Sequence, residues 1–189
     1  QVITGDEYCR RVKDGTICEV LAKHPISAGD AFFIPAGRVH AICGGALIAE
    51  VQQSSDITYR IFDYNRMGMD GKPRELHTEL AVDAIDYNVH PEYSISYPQE
   101  INKANMVCEC EYFTVRQLQL DTKRERNMQH YDSFLIYICL DGECLIGEDI
   151  VLKKGQTCLI PACCTDVVIT PSSPNGAELL EVFVDNEKF

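Results

Sequence analysis

The sequence predicts a mainly β protein: two related β-sandwich or barrel units with a few short helices. Three observations predict it. From Ile17 onward, short apolar or alternating runs are split by turn residues at the roughly 8–12-residue spacing of sandwich and barrel strands. Helical periodicity is confined to two short stretches, residues 4–15 and 76–86. Finally, residues 29–40 read Gly-Asp-Ala-Phe-Phe-Ile-Pro-Ala-Gly-Arg-Val-His, and a degenerate copy, Gly-Gln-Thr-Cys-Leu-Ile-Pro-Ala-Cys-Cys-Thr-Asp, returns at 155–166. Gly29 and Gly155, Pro35 and Pro161, and His40 and Asp166 share one offset, 126 residues. The first copy keeps an imidazole where the strand leaves its turn, and the second has lost it.

In chain order, Thr4-Gly5-Asp6-Glu7 reads as a capping box, Thr4 accepting from the Glu7 amide and Glu7 reaching back. Tyr8, Val12 and Cys9 give the following helix an apolar stripe that ends near Gly15. Strands are expected at 17–22, 31–35, 39–43, 46–53 and 57–63. Residues 64–75 form a turn-rich loop, and 76–86 a second helix with Leu76, Leu80, Ala84 and Ile85 on one face. A polar linker follows from about residue 87 to 105. Strands are then expected near 111–120, 125–131, 134–140, 143–147, 149–152, 156–160, 166–170 and 177–184. Asp141-Gly142, between apolar runs, is a hairpin signal. These runs divide the chain into a first unit at 1–90 and a linker plus second, degenerate unit at 91–189.

Composition narrows the function classes. The chain has 189 residues and is 46% apolar, enough for a sizeable core, and no apolar run approaches the ~20 residues of a membrane helix. A net charge of −12 opposes counterion-release binding to nucleic acid. An anionic substrate would need a local cationic pocket. Ten cysteines occur without the paired CxxC spacing of a structural zinc site. They are read as reduced thiols, mostly small buried hydrophobes, in a reducing cytoplasm.

The spacing Gly29-x5-Pro35-x-Gly37-xx-His40 resembles the second half-motif of the cupin superfamily. Gly29 turns the chain into a strand, Ala31–Ile34 cross the core, and Pro35-Ala36-Gly37 reverses direction. His40 can then point into the barrel mouth as a metal ligand, the alternative being a hydrogen-bonded core histidine. Residues 40–63, His-Ala-Ile-Cys-Gly-Gly-Ala-Leu-Ile-Ala-Glu-Val-Gln-Gln-Ser-Ser-Asp-Ile-Thr-Tyr-Arg-Ile-Phe-Asp, resemble the signature of type I mannose-6-phosphate isomerases. Asp70-Gly-Lys-Pro-Arg-Glu-Leu-His77 resembles the short bacterial form. The resemblance is strongest over residues 1–86, and the chain looks like the C-terminal majority of such an enzyme.

The resemblance implies a double-barrel cupin fold and one zinc ion in the first barrel, with His40 as a ligand and Arg60 as a catalytic residue. It implies interconversion of mannose 6-phosphate and fructose 6-phosphate, a proton moving between C1 and C2 through an enediol(ate). Such chemistry needs a Lewis acid, a proton shuttle and a cation beside the developing oxyanion. Arg60, in an apolar-flanked run, suits the last role. Glu50, ten residues past His40, is the candidate for proton shuttling or substrate positioning, with a solvent-facing carboxylate as the alternative. Arg38 and Lys72 are the candidate phosphate binders. Arg66 and Arg74 belong to the same run of cations, with solvated loop charge as the alternative.

The family's remaining zinc ligands are expected upstream of Gln1, so the first barrel is expected to be incomplete and the isolated chain weakly active. His130 could pair with Asp166 in the second unit. A non-catalytic cupin module for sugar phosphate or association is the competing class. The expected partner is a small sugar phosphate, not nucleic acid or a membrane, and the sequence leaves the oligomeric state open.

Overall fold

A computed structural model describes residues 2–55, 57–64 and 66–184 of the 189. The chain divides into two compact units, 1–46 with 54–94, and 47–53 with 95–189.

The first unit is organised by α1 (Gly5–Lys13) and α2 (Thr78–Val82). Thr4 caps α1 by accepting from the Glu7 amide at 3.3 Å. The reciprocal half of the capping box is not made: Glu7 is drawn instead to Arg11 Nε, 2.8 Å away and one turn on, because a full charge one turn away outcompetes a backbone amide. Tyr8, Ile17 and Ala81 are fully buried, with Cys9, Val12, Val82 and Ile85 packed around them. The α1 stripe is the expected one. On α2 the expected face is corrected: Leu76 and Leu80 are exposed, while Ala81, Val82 and Ile85 face inward. The helix covers only 78–82, so Leu76, Ala84 and Ile85 lie outside it and the helical spacing that joined them does not apply, although Ile85 still packs inward as expected.

The expected strands at 39–43, 46–53 and 57–63 are not formed, and 17–22 holds a single turn of 3-10 helix, Ile17–Glu19. Apolar alternation reports which side of a segment would be buried, but a strand also needs a hydrogen-bonded neighbour. These segments find none among the described residues. Only β1 (Ala31–Phe32) remains of that series, with β2 (Ser94–Ile95) closing the unit.

The second unit is a single curled antiparallel sheet. It comprises β3 (Ala104–Glu109), β4 (Thr114–Leu120), β5 (Arg124–Asn127), β6 (Leu135–Ile146), β7 (Ile150–Lys153), β8 (Thr157–Ile160), β9 (Asp166–Pro171) and β10 (Ala177–Phe183). The order is β3-β4-β10-β6-β9-β5, with β7 and β8 also on β6. The twelve-residue β6 is the spine: its first half pairs with β10 and β8, its second with β7 and β9.

Asp141-Gly142 is not the expected hairpin. The register slips there, Glu178 facing Asp141 and Leu179 facing Cys139, so Leu140 is an extra residue. Gly142 has φ +73° and lies so close to the neighbouring strand that a Cβ would sit 2.2 Å from the Gly176 carbonyl oxygen. The pair marks a bulge, where a positive-φ glycine lets the strand continue. The inserted residue also resets the alternation. Leu135, Tyr137 and Cys139 face the core before it, and Cys144 and Ile146 after it, which an unbroken period of two would forbid. All ten cysteines are free; Cys139 and Cys144 lie in this core, whereas Cys43, Cys163 and Cys164 are exposed.

The internal repeat survives as geometry. Gly29 (φ +91°) and Gly155 (φ +80°) both turn through the left-handed region. Before each, the amide of Ser27 or Lys153 donates to the side chain of Asp30 or Gln156, at 2.8 and 2.9 Å. The Asp30 and Gln156 amides return to the Ser27 and Lys153 carbonyls at 3.2 and 2.9 Å. After each strand, the Arg38 and Cys164 amides close on the Pro35 and Pro161 carbonyls at 3.2 and 3.0 Å. Three hydrogen bonds therefore recur at the 126-residue offset.

Candidate functional site

His40 follows the Pro35–Arg38 turn and is exposed. Its Nδ1 lies 3.1 Å from the Arg38 carbonyl oxygen. A carbonyl only accepts, so Nδ1 carries the hydrogen and Nε2 presents its lone pair outward, the arrangement found in metal-ligating histidines. Arg38 is tied back to its own loop, with Nη1 3.4 Å from the Phe33 carbonyl and the guanidinium 5.2 Å from the Tyr93 ring centre. Lys72 is exposed in the tight 68–72 turn, where its amide donates to Asp70 Oδ1 at 3.1 Å; its ammonium forms no ion pair among the described residues.

Arg60 is half-buried and firmly held. Its amide donates to His77 Nδ1 at 3.0 Å, its carbonyl accepts from the His77 amide at 2.8 Å, and its Nη1 donates to the Glu75 carbonyl at 3.3 Å. Glu75 and His77 belong to the wall of a shallow, open cleft of about 350 Å³ formed by residues 75–80. Sequence reasoning placed His77 on a helix and gave it no role. It stands instead at the N-cap of α2, with its ring turned to Arg60 rather than to its own helix. Because Nδ1 accepts, Nε2 carries the hydrogen, the tautomer opposite to that of His40. Tyr59 stacks on the same ring with centroids 6.0 Å apart.

Arg66 and Arg74 are not solvated loop charge. Both converge on Asp63, which is buried: Arg66 Nη2 lies 2.8 Å from Oδ1, Arg74 Nε 2.6 Å from Oδ2, and Arg74 Nη2 makes a further short contact to Oδ1. The Arg74 guanidinium, aided by Arg66, holds the Asp63 carboxyl down at about 2, against burial that would raise it. This cluster fastens the loop to the strand-like segment carrying Arg60.

Glu50 is exposed and falls in 47–53, the stretch that clusters with the second unit, whereas His40 and Arg60 belong to the first. Among the described residues no three histidine, cysteine, aspartate or glutamate side chains gather as a metal site. A catalytic zinc takes about three protein ligands; His40 has the right tautomer, but the residues described do not complete the set. His130 and Asp166, which could have paired, do not do so among the described residues. Asp166 accepts instead from Asn127 Nδ2 at 3.3 Å and Thr165 Oγ1 at 3.1 Å, its neighbours across the ladder and along the chain.

The curled antiparallel sheet with its Gly-strand-Pro turns defines the class: this is a cupin protein. The sequence profile of the mannose-6-phosphate isomerase cupin domain matches residues 102–172. Mannose-6-phosphate isomerase ManA of Bacillus subtilis (strain 168) is 34% identical over 163 residues, 84% of this chain and 51% of the relative. The mannose-6-phosphate isomerase of Streptococcus mutans is 31% identical over 163 residues, covering 82% and 50%. The crystal structure of the mannose 6-phosphate isomerase from Bacillus subtilis superposes with a TM-score of 0.56 at 32% identity, over 69% of this chain and 41% of that one. The chain belongs to the mannose-6-phosphate isomerase family. It spans about half the length of the curated relatives it matches. Among the described residues, no helix is long and apolar enough to cross a membrane.

Proposed function

We propose that this chain carries part of the active site of a type I isomerase interconverting mannose 6-phosphate and fructose 6-phosphate. The observation that carries the reading is Arg60, which the family resemblance makes catalytic, fixed by Glu75 and His77, two residues that line an open cleft.

In the proposed reaction the C2 proton of the aldose is removed and charge develops on O1; the O2 hydroxyl proton passes to O1, and a proton is delivered to C1 as O2 becomes the carbonyl. Arg60 supplies a guanidinium whose backbone is locked, so little reorganisation is needed as oxyanion charge appears. Arg38 and Lys72 take the phosphate. The Lys72 ammonium has no ion pair among the described residues, and Arg38 has a preset guanidinium plane. Zinc is the cofactor of the proposed enzyme, with His40 Nε2 as one ligand. The described residues do not complete its coordination, and the roles given to the other side chains stand without it.

The competing reading, a non-catalytic cupin module that binds sugar phosphate, is favoured by that same unfinished ligand set. One experiment separates them. The purified chain is assayed for isomerisation with added zinc, while mannose 6-phosphate is titrated against its amide spectrum. Slow turnover abolished by Arg60→Gln, with shifts at Arg60 and His77, supports the isomerase. The same shifts without turnover support the binding module. Absence of both overturns the reading of this cleft.

A further inference from the structure

The interior of the second unit carries a charge imbalance. Arg124 and Arg126 alternate with exposed Glu125 and Asn127 along β5, so both guanidinium-bearing side chains lie on one half-buried face. Arg126 closes a two-pronged pair with Glu181 on β10, Nε to Oε2 at 3.0 Å and Nη2 to Oε1 at 2.6 Å. Tyr137 on β6 donates to the same Oε2 at 2.9 Å. Glu181 is wholly buried and engaged by these three bonds, and it brings one negative charge to three guanidinium groups. It compensates one arginine.

Two cations are left. Arg116 on β4 reaches Oε1 only at 3.6 Å and stacks on Phe183 at 4.8 Å. Among the described residues Arg124 has no ion pair: Nη1 donates to the Asn102 carbonyl at 2.5 Å, and Nε is buried without a hydrogen-bond partner there. Burial, with the repulsion of Arg126, lowers its hold on the proton. A guanidinium N–H withdrawn from water without an acceptor is costly, and such an orphan in a folded protein calls for a missing partner. Tyr131 adds a donor. Its oxygen accepts from Arg116 Nη1 at 3.1 Å and Arg126 Nη2 at 3.3 Å, leaving its hydroxyl hydrogen to point elsewhere.

We propose that Arg116, Arg124 and Tyr131 form a binding site for a phosphoryl oxyanion inside the second unit. The arginines stand on β5, which pairs with β9 so that Arg124 faces Ile169 and Arg126 faces Val167. Three guanidinium groups around one carboxylate leave a surplus of two positive charges, which matches the nearly dianionic phosphoryl group at neutral pH, and the arginine forks match its oxygens. In a chain of net charge −12 such a surplus is not general surface electrostatics.

The test is calorimetric titration and thermal unfolding of the whole chain with inorganic phosphate, mannose 6-phosphate and mannose, against sodium chloride of equal ionic strength. Saturable phosphate binding that raises the melting temperature is expected, with no effect of mannose. Arg124→Gln or Arg116→Gln weakens it about tenfold, as expected for a lost charge-assisted bond. Glu125→Gln, on the opposite face of β5, leaves it unchanged. Tighter binding of mannose 6-phosphate than of phosphate, lost with Arg124, assigns the site to a sugar phosphate; the reverse order assigns it to the free ion. The proposal is overturned if phosphate stabilises no more than chloride. It is equally overturned if both arginine variants bind as the parent does, or if Glu125→Gln matters as much as they do.

Discussion

Arg60 and His77, seventeen residues apart, hold one another by two hydrogen bonds: Arg60 N–H to the imidazole Nδ1 at 3.0 Å, and His77 N–H to the Arg60 carbonyl at 2.8 Å. The pair sets the backbone under a proposed catalytic guanidinium and the start of α2 at the same time. Replacing His77 by Ala removes the first bond and leaves the second. Amide exchange at Arg60 should quicken about fivefold, corresponding to about 1 kcal/mol of local stability, and hydrogen exchange read by mass spectrometry or NMR checks it. An unchanged rate would show that the imidazole is a bystander.

Glu181 is the keystone of the second unit. Glu181→Gln withdraws the only ion-pair partner that the described residues give Arg126, in a fully buried setting. Destabilisation of about 3–5 kcal/mol is expected in urea unfolding, because an uncompensated buried charge is left behind. Tyr137→Phe, which removes one bond to the same carboxylate, should cost about 1–3 kcal/mol.

Acid sensitivity should track Asp63. Its carboxyl titrates at about 2 in the folded chain, below its ordinary value of 3.8, because Arg74 and Arg66 favour the ionised form. A lowered folded-state value means the stabilisation is fully present above the ordinary value and is lost as pH falls from there toward 2. Stability followed from pH 5 to pH 2 should therefore decline through this window, and Asp63→Asn should flatten that part of the curve. Asp86, held at about 2 first by His90 and then by the Asn88 amide, contributes in the same direction.

Gly142→Ala and Gly176→Ala test the bulge. Each glycine has a positive φ, and an added Cβ would meet a backbone oxygen at 2.2 Å, of Gly176 and Leu120 respectively. Neither neighbour is a movable side-chain tip. Each variant should lose well over 1 kcal/mol in denaturant titration, whereas alanine at Gly147, also positive in φ but with open space around it, should cost about 1 kcal/mol.

The sequence made the second unit's strands largely legible, since each alternating run there finds a hydrogen-bonded partner: 166–170 became Asp166–Pro171 and 177–184 became Ala177–Phe183. The same alternation misled in the first unit, where 39–43 and 57–63 lack neighbours among the described residues. Asp141-Gly142 misled for another reason, because a left-handed glycine serves a bulge as well as a hairpin. In the candidate site, Arg60 was readable as a charge embedded in an apolar run, which needs a partner. Its partner, His77, was not, because contact across seventeen residues leaves no periodic trace. The Arg116–Arg124–Arg126–Glu181 cluster was equally hidden, its members scattered over three strands of different local patterning.

The turns around Gly29 and Gly155 close through main-chain atoms and two short polar side chains. Nothing in that frame depends on the residue found five positions beyond the proline. An imidazole can be traded for a carboxylate at that spot without penalty to the architecture. The outline of each lobe is thereby independent of what chemistry that one side chain offers, so the two can carry different ligands on the same frame.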